Sequence, residues 1–207
     1  MRQVPAKLAS KLYGAAELIA ERGLADAKVD EIADAAGIPK ATLYYYFSGK
    51  DEVLAFLLAD MLELIAGEGG TAASAPGSAR DRLESAVEAQ LAVMLDHPAV
   101  CRALVGDLGR ATRLPELAAA LQEAFHRPIA SLLAEGVSDG TLRPVEDPGA
   151  VALSIFGAIT VTGLSVAVEG SSNDSATDAA RIAASICDLM LNGLATTPAN
   201  TGLEGDR

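Results

Sequence analysis

Residues 29–50 read VDEIADAAGIPKATLYYYFSGK, and this stretch decides the fold. From Val29 to Ala36 the apolar residues Val29, Ile32, Ala33 and Ala36 recur at the spacing of a short amphipathic helix. Gly37 ends that helix, as a glycine does where the chain turns left-handed past the last helical residue. Pro39 opens a second helix, because its fixed φ is already helical and its missing N–H is not needed there. This helix is predicted over about residues 40–47 and carries Lys40, Thr42, Tyr44, Tyr45 and Tyr46. A helix, a short turn containing glycine and a second short helix form the pattern of a helix-turn-helix. A short helix so rich in hydroxyls makes a poor core element and a good surface for phosphates.

The segment resembles the DNA-binding domain of TetR-family transcriptional regulators. The matching residues are Glu31-Ile32-Ala33, Ala36-Gly37-Ile38, Thr42-Leu43-Tyr44-Tyr45-Tyr46-Phe47 and Lys50, with Ala15-Ala16 and Ala20-Glu21-Arg22-Gly23 upstream. The resemblance implies an all-α fold. An N-terminal three-helix helix-turn-helix DNA-binding domain would occupy residues 1–50, and a larger helical ligand-binding and dimerisation domain residues 51–195, with a disordered tail from 196. It also implies a homodimer that binds double-stranded operator DNA and holds a small-molecule effector. Most members repress, and ligand binding respaces the two DNA-binding heads.

Carried over by position, base reading falls to Lys40, Ala41 and Tyr45. Lysine can donate to guanine O6 and N7, and alanine offers a methyl contact to thymine. Thr42, Tyr44 and Lys50 resemble phosphate contacts, and Tyr46 is a further candidate. The other reading of the tyrosines is that their rings complete a small core with the hydroxyls in water. Leu43 and Phe47, four residues apart, are expected to point inward. The chain departs from the family at two positions. Lys28 stands where a capping threonine is usual, so the cap passes to Asp26 or is weak; Lys28 then meets a phosphate as a point charge, or is an ordinary solvated lysine. Pro39 stands where serine is common, which removes one side-chain hydrogen bond.

The net charge is −12, which looks unsuited to a DNA binder until its distribution is followed. Residues 1–50 hold seven Lys or Arg against six acidic residues, a net of +1. Residues 51–207 hold nine Arg and no Lys against 22 acidic residues, a net of −13. The acidic remainder is expected to keep DNA on the N-terminal face. Half the residues are hydrophobic and 4% aromatic, which favours a helical fold with a sizeable core. Two cysteines make no disulfide framework, and the N-terminus does not read as a signal peptide, so a cytoplasmic location is expected.

Along the chain, a first helix is predicted over about residues 7–22, with Lys7 and Lys11 able to touch a flanking phosphate. A helix over about residues 50–66 links head to body. Residues 67–79, GEGGTAASAPGSA, read as a flexible loop. Leu83, Val87, Leu91, Met94 and Leu95 mark a helix ending at His97-Pro98. Leu114-Pro115 opens another, which Pro128 should kink or split, and residues 136–148 form a loop. Residues 151–168 are 18 residues without a charge. They read as a helix buried on nearly all sides, partly by a second subunit, and not as a membrane span. The last helix covers about residues 176–194, with Ser175 and Asp178 as a capping-box-like pair.

Three sets of body residues follow. The effector, a small and mostly apolar molecule, is expected among Leu58, Leu62, Leu91, Met94, Leu121, Phe125 and Ile129, with Gln90 or His126 offering polar contacts. The alternative is that these side chains simply pack on each other. The dimer interface is expected at Ser154, Ala158 and Thr162 of one helix and Ile182, Ile186 and Leu189 of the next. Neither a metal nor a cofactor is expected: His97, His126, Cys101 and Cys187 have no ligand spacing, and no catalytic arrangement is evident. An α-helical enzyme or non-DNA ligand carrier is the competing class, and it requires polar groups converging in the body.

Overall fold

A computed structural model describes residues 4–106, 115–169 and 175–192. The described residues in regular structure are helical. The head comprises α1 (Ala6–Leu12), a 3-10 turn (Tyr13–Ala15), α2 (Ala16–Asp26), α3 (Val29–Ala35) and α4 (Lys40–Tyr46). The body comprises α5 (Lys50–Ala73), α6 (Ala79–Asp96), α7 (Pro98–Gly106), α8 (Pro115–Leu121), a π-helical turn (Gln122–His126), α9 (Arg127–Ser138), α10 (Pro148–Glu169) and α11 (Ser175–Asn192).

The turn between α3 and α4 forms as the sequence dictates. Gly37 adopts φ 61°, a left-handed conformation open to glycine at no steric cost. Its N–H donates to Asp34 O at 3.0 Å, and Ile38 N–H donates to Ala33 O at 3.0 Å. These two reversed bonds satisfy carbonyls at the end of α3. Pro39 is the N-cap of α4 and not its first helical residue; its carbonyl accepts from Thr42 N–H at 2.8 Å, and no side chain caps the helix. Leu43 and Phe47 are buried, each contributing about 1.5–3 kcal/mol by removal from water.

Several boundaries differ from the sequence reading. The first helix is broken by the 3-10 turn at Tyr13–Ala15, where a Cβ on Gly14 would lie 3.0 Å from Ala35 O. The predicted loop at 67–79 is mostly helix: α5 continues to Ala73, and only residues 74–78 connect it to α6. Tertiary contacts override the weak propensity of Gly67, Gly69 and Gly70. Gly69 packs under Gln90 of α6, and the Arg82 guanidinium donates to Ala73 O at 3.0 Å, satisfying a terminal carbonyl. The 136–148 loop starts later, because α9 runs to Ser138 and Leu142 N–H returns to Gly136 O at 2.8 Å. Pro128 does split its helix: the π-helical turn precedes it and α9 begins around it. The predicted tail, Leu114 and the side chain of Ser175 lie outside what the structure describes.

Helix α5 spans the molecule. It packs against α1 and α2 at the head and against α6, α8, α9 and the π-helical turn in the body. Its start is fixed by Glu52, whose carboxylate accepts from Ser48 N–H at 2.9 Å. Ser78 caps α6 by accepting from Asp81 N–H at 3.2 Å.

Candidate nucleic-acid interface and effector site

The outward face of α4 is built from its sequence. With Leu43 and Phe47 anchored inward, Lys40, Ala41, Tyr44 and Tyr45 are exposed, and Thr42 and Tyr46 are half-buried. Tyr44 and Tyr45 keep 50% and 59% of their surface, so their rings are not core residues; Tyr46, packed on the cluster, is partly one. Tyr45 and Tyr46 meet edge to face with centroids 5.0 Å apart. The Lys40 ammonium lies 2.5 Å from an Asp30 carboxylate oxygen of α3 and 5.9 Å from the Tyr44 ring centroid. The bond to Asp30 raises the lysine's pKa. Sequence reasoning did not single out Asp30.

Lys28, Tyr44 and Lys50 line one open cleft of about 480 Å³ beside the start of α3. Lys28 is the N-cap of α3 and its side chain makes no cap bond, the weak-cap alternative; the Glu31 carboxylate reaches back to accept from Lys28 N–H at 3.0 Å and from Arg22 at 2.9 Å. The first of these bonds, more than the second, lowers the Glu31 pKa. The Lys28 side chain stays exposed. Lys50 is more constrained: its ammonium donates to Ala25 O at 2.6 Å and Ala27 O at 3.0 Å. It therefore ties down the end of α2 and keeps a third N–H. Lys11 donates to Gly37 O at 3.3 Å and braces the helix-turn-helix turn.

Further polar contacts join the head to more distant parts of the body. Tyr13 donates to the Asp60 carboxylate of α5, and its ring lies 5.8 Å from that of His97 at the end of α6. Arg102 of α7 donates to Glu17 of α2 at 2.5 Å and to Ala167 O of α10 at 3.0 Å. Neither link has a periodic signature in the sequence.

In the body, Leu58, Leu62, Gln90, Leu91, Met94, Phe125 and Ile129 have no accessible surface, and Leu121 is nearly as buried. The elements that carry them pack on one another. His126 is half-buried, its ring 5.3 Å from Phe156, while Phe125 and Phe156 meet at 4.9 Å. Gln90 Nε2 donates to Ala124 O at 2.8 Å, within the π-helical turn. An open groove of about 360 Å³ runs over the end of α5 past Gly70, Arg127 and Pro128.

Helix α10 is only partly covered within one subunit. It is long and apolar enough to cross a membrane, yet only 33% of its most apolar window is buried. Leu153, Val161 and Val168 are 55%, 64% and 67% exposed, and Leu189 of α11 is 45% exposed. Ala158, Thr162, Ile182, Ile186 and Leu189 line one furrow of about 360 Å³ between α10 and α11, while Ser154 is exposed with its hydroxyl bonded to Ala150 O. The outward residues Leu153, Val161 and Val168 were missed, although the helical period marks them. Among the described residues no cluster of His, Cys, Asp and Glu could hold a metal ion.

Comparison with known proteins fits this geometry. Residues 12–56 match the family model for bacterial regulatory proteins of the tetR family, and residues 76–194 match that for the tetracyclin repressor-like C-terminal domain. The transcriptional repressor KstR2 of Rhodococcus jostii (strain RHA1) is 33% identical over 136 residues, 62% of this chain and 64% of that protein's length. The fatty acid degradation regulator FadR from Bacillus halodurans superimposes with a TM-score of 0.78 at 21% identity, covering 95% of this chain and all of the other. FadR from Bacillus subtilis, solved in complex with stearoyl-CoA, gives a TM-score of 0.70 at 21% identity over 91% of this chain and 98% of its own. The second family match alone takes in more than half of the sequence, so the chain belongs to the TetR family and is a helix-turn-helix transcriptional regulator, not an enzyme.

Proposed function

We propose that the protein is a cytoplasmic repressor that grips an imperfectly palindromic operator as a homodimer and is released by a small, mostly apolar effector. The observation that carries this reading is the α4 face, where Ala41, Tyr44 and Tyr45 stand outward over a buried Leu43 and Phe47. Two such helices, about 34 Å apart, would enter successive major grooves. Lys40, Ala41 and Tyr45 read bases, with Lys40 leaving Asp30 to do so. Lys28, Thr42, Tyr44, Tyr46 and the third N–H of Lys50 meet phosphates. The exposed apolar face of α10 and the furrow beside α11 are covered by the second copy, the usual closed arrangement for a self-complementary patch.

The effector is of the fatty-chain class. The aliphatic body supports this, as do the relatives named for fatty acid degradation or solved with stearoyl-CoA. The net charge of −13 over residues 51–207 favours an uncharged or singly charged lipophile over a polyanionic thioester. The test is footprinting on the DNA upstream of the protein's own gene, then binding across operator variants. Lys40→Ala should change which sequences are preferred, and stearic acid should release the DNA at lower concentration than stearoyl-CoA. Equal losses for Lys40→Ala on cognate and scrambled DNA would remove its base-reading role. Release by neither lipid would remove the effector class.

A further inference from the structure

We infer that the effector carries a hydroxyl on its otherwise apolar skeleton, and that Gln90 and Thr160 are the pair that reads it. The inference rests on the fatty-chain reading above and adds the polar group that selects among such molecules.

Gln90 is fully buried, and its amide is oriented from one side only. Nε2 donates to Ala124 O, while a Cβ on Gly69 would lie 3.2 Å from both Cγ and Nε2, so α5 presses on the same side chain. Pro128 has no N–H to return to the carbonyl four residues before it, Ala124 O, and Gln90 donates to that carbonyl, which fixes its amide. Its Oε1 is buried without a hydrogen-bond partner among the described residues. Thr160 of α10, 4% exposed, has a buried hydroxyl in the same condition. Native interiors rarely leave such atoms unpaired, and each one asks for an explanation.

The two groups belong to one layer. Helices α6 and α10 pack together, and Met94 lies against Gly163, where a Cβ would come within 3.0 Å of its terminal methyl. Both helices end at the head: α6 at His97 beside Tyr13, α10 near Ala167, which Arg102 joins to Glu17. Gln90 and Thr160 therefore each sit about one helical turn further from the head than the Met94–Gly163 contact. Oε1 can only accept, whereas the threonine hydroxyl can donate and accept. One inserted hydroxyl satisfies both, donating to Gln90 Oε1 and accepting from Thr160 Oγ1. In the closed core both atoms are unpaired, so binding a hydroxyl stabilises the opened state selectively. That differential is what an effector needs in order to shift a population.

The test uses dodecan-1-ol and 1-fluorododecane, which differ in the donor and hardly in size. Calorimetric binding to the full chain should favour the alcohol about tenfold. Gln90→Met should bring the ratio to about one, and the isosteric Thr160→Val should lower it severalfold while raising the thermal midpoint, because it removes an unpaired buried hydroxyl. Equal binding of the two compounds by the wild type overturns the inference, as does a preference that survives both substitutions. If neither compound binds, the hydroxyl inference fails; release of DNA by stearic acid in the same preparation would show that the fatty-chain reading stands without it.

Discussion

Replacing Gly67 and Gly70 by alanine should stabilise the protein, which is not what the composition of GEGG suggests. Both lie inside α5, and a Cβ at either meets nothing within 4 Å. Glycine in a helix interior is about 0.8–1.0 kcal/mol less favourable than alanine, so the double substitution should add about 1.5–2 kcal/mol. For a chain of this size that raises the thermal midpoint by roughly 3–8 °C. Gly69→Ala is the internal control. Its Cβ would press 3.2 Å from Gln90 and displace the amide from Ala124 O, so a lost buried bond of about 1–3 kcal/mol offsets or exceeds the propensity gain. Circular dichroism melts at 222 nm, with urea titrations alongside, measure all three variants. The double variant also links stability to function. If the end of α5 must move to admit the effector into the buried core, stiffening it weakens the response by roughly 10–30-fold at 1.4 kcal/mol per decade. A lower melting point for Gly67→Ala/Gly70→Ala would show that this segment is not helical in solution. A Gly69→Ala gain equal to the other two would show that Gln90 does not rest on it.

Other expectations follow from the same contacts. Lys50→Met should destabilise the fold by about 1–2 kcal/mol through its two lost carbonyl bonds, and should lower the salt slope of DNA binding by about one if its third N–H meets a phosphate; a stability loss with an unchanged slope would make it purely structural. Ala158→Arg, set in the furrow between α10 and α11, should leave a helical chain that sediments as monomer or aggregate; an unchanged dimer would take the furrow out of the interface. Arg102→Met should shrink the ratio of DNA dissociation constants measured with and without stearic acid by severalfold, since it severs both Glu17 and Ala167 from α7; an unchanged ratio would send the coupling by another path.

The head was legible because its signals are local. Gly37 needs a left-handed φ, Leu43 and Phe47 repeat at the helical period, and together these orient every residue of α4. What escaped was what depends on residues distant in sequence. Nothing near Lys50 announces that its ammonium will reach back to Ala25 and Ala27, and nothing near Lys40 names Asp30 as its partner. Helix α5 was cut short for the same reason. Propensity sees three glycines, while the packing that carries the helix to Ala73 comes from Gln90 and Arg82 on α6.

The body was legible as a face. The helical period brought Leu58, Leu62, Leu91, Met94, Phe125 and Ile129 into one buried cluster. Periodicity reports which side of a helix is apolar; it says nothing about whether the facing sides meet or stand apart. That difference is decided by small, irregular features: the π-helical turn ahead of Pro128, glycines where α5 passes Gln90, and polar atoms left unpaired in the middle. A core optimised only for stability would replace Gln90 and Thr160 by apolar residues of like volume, since unpaired buried polar atoms are costly. On the function proposed above, these atoms make the closed body the less satisfied of two states. A regulator needs that imbalance, because an effector can move the DNA-binding heads only by as much as it favours the open body over the closed one.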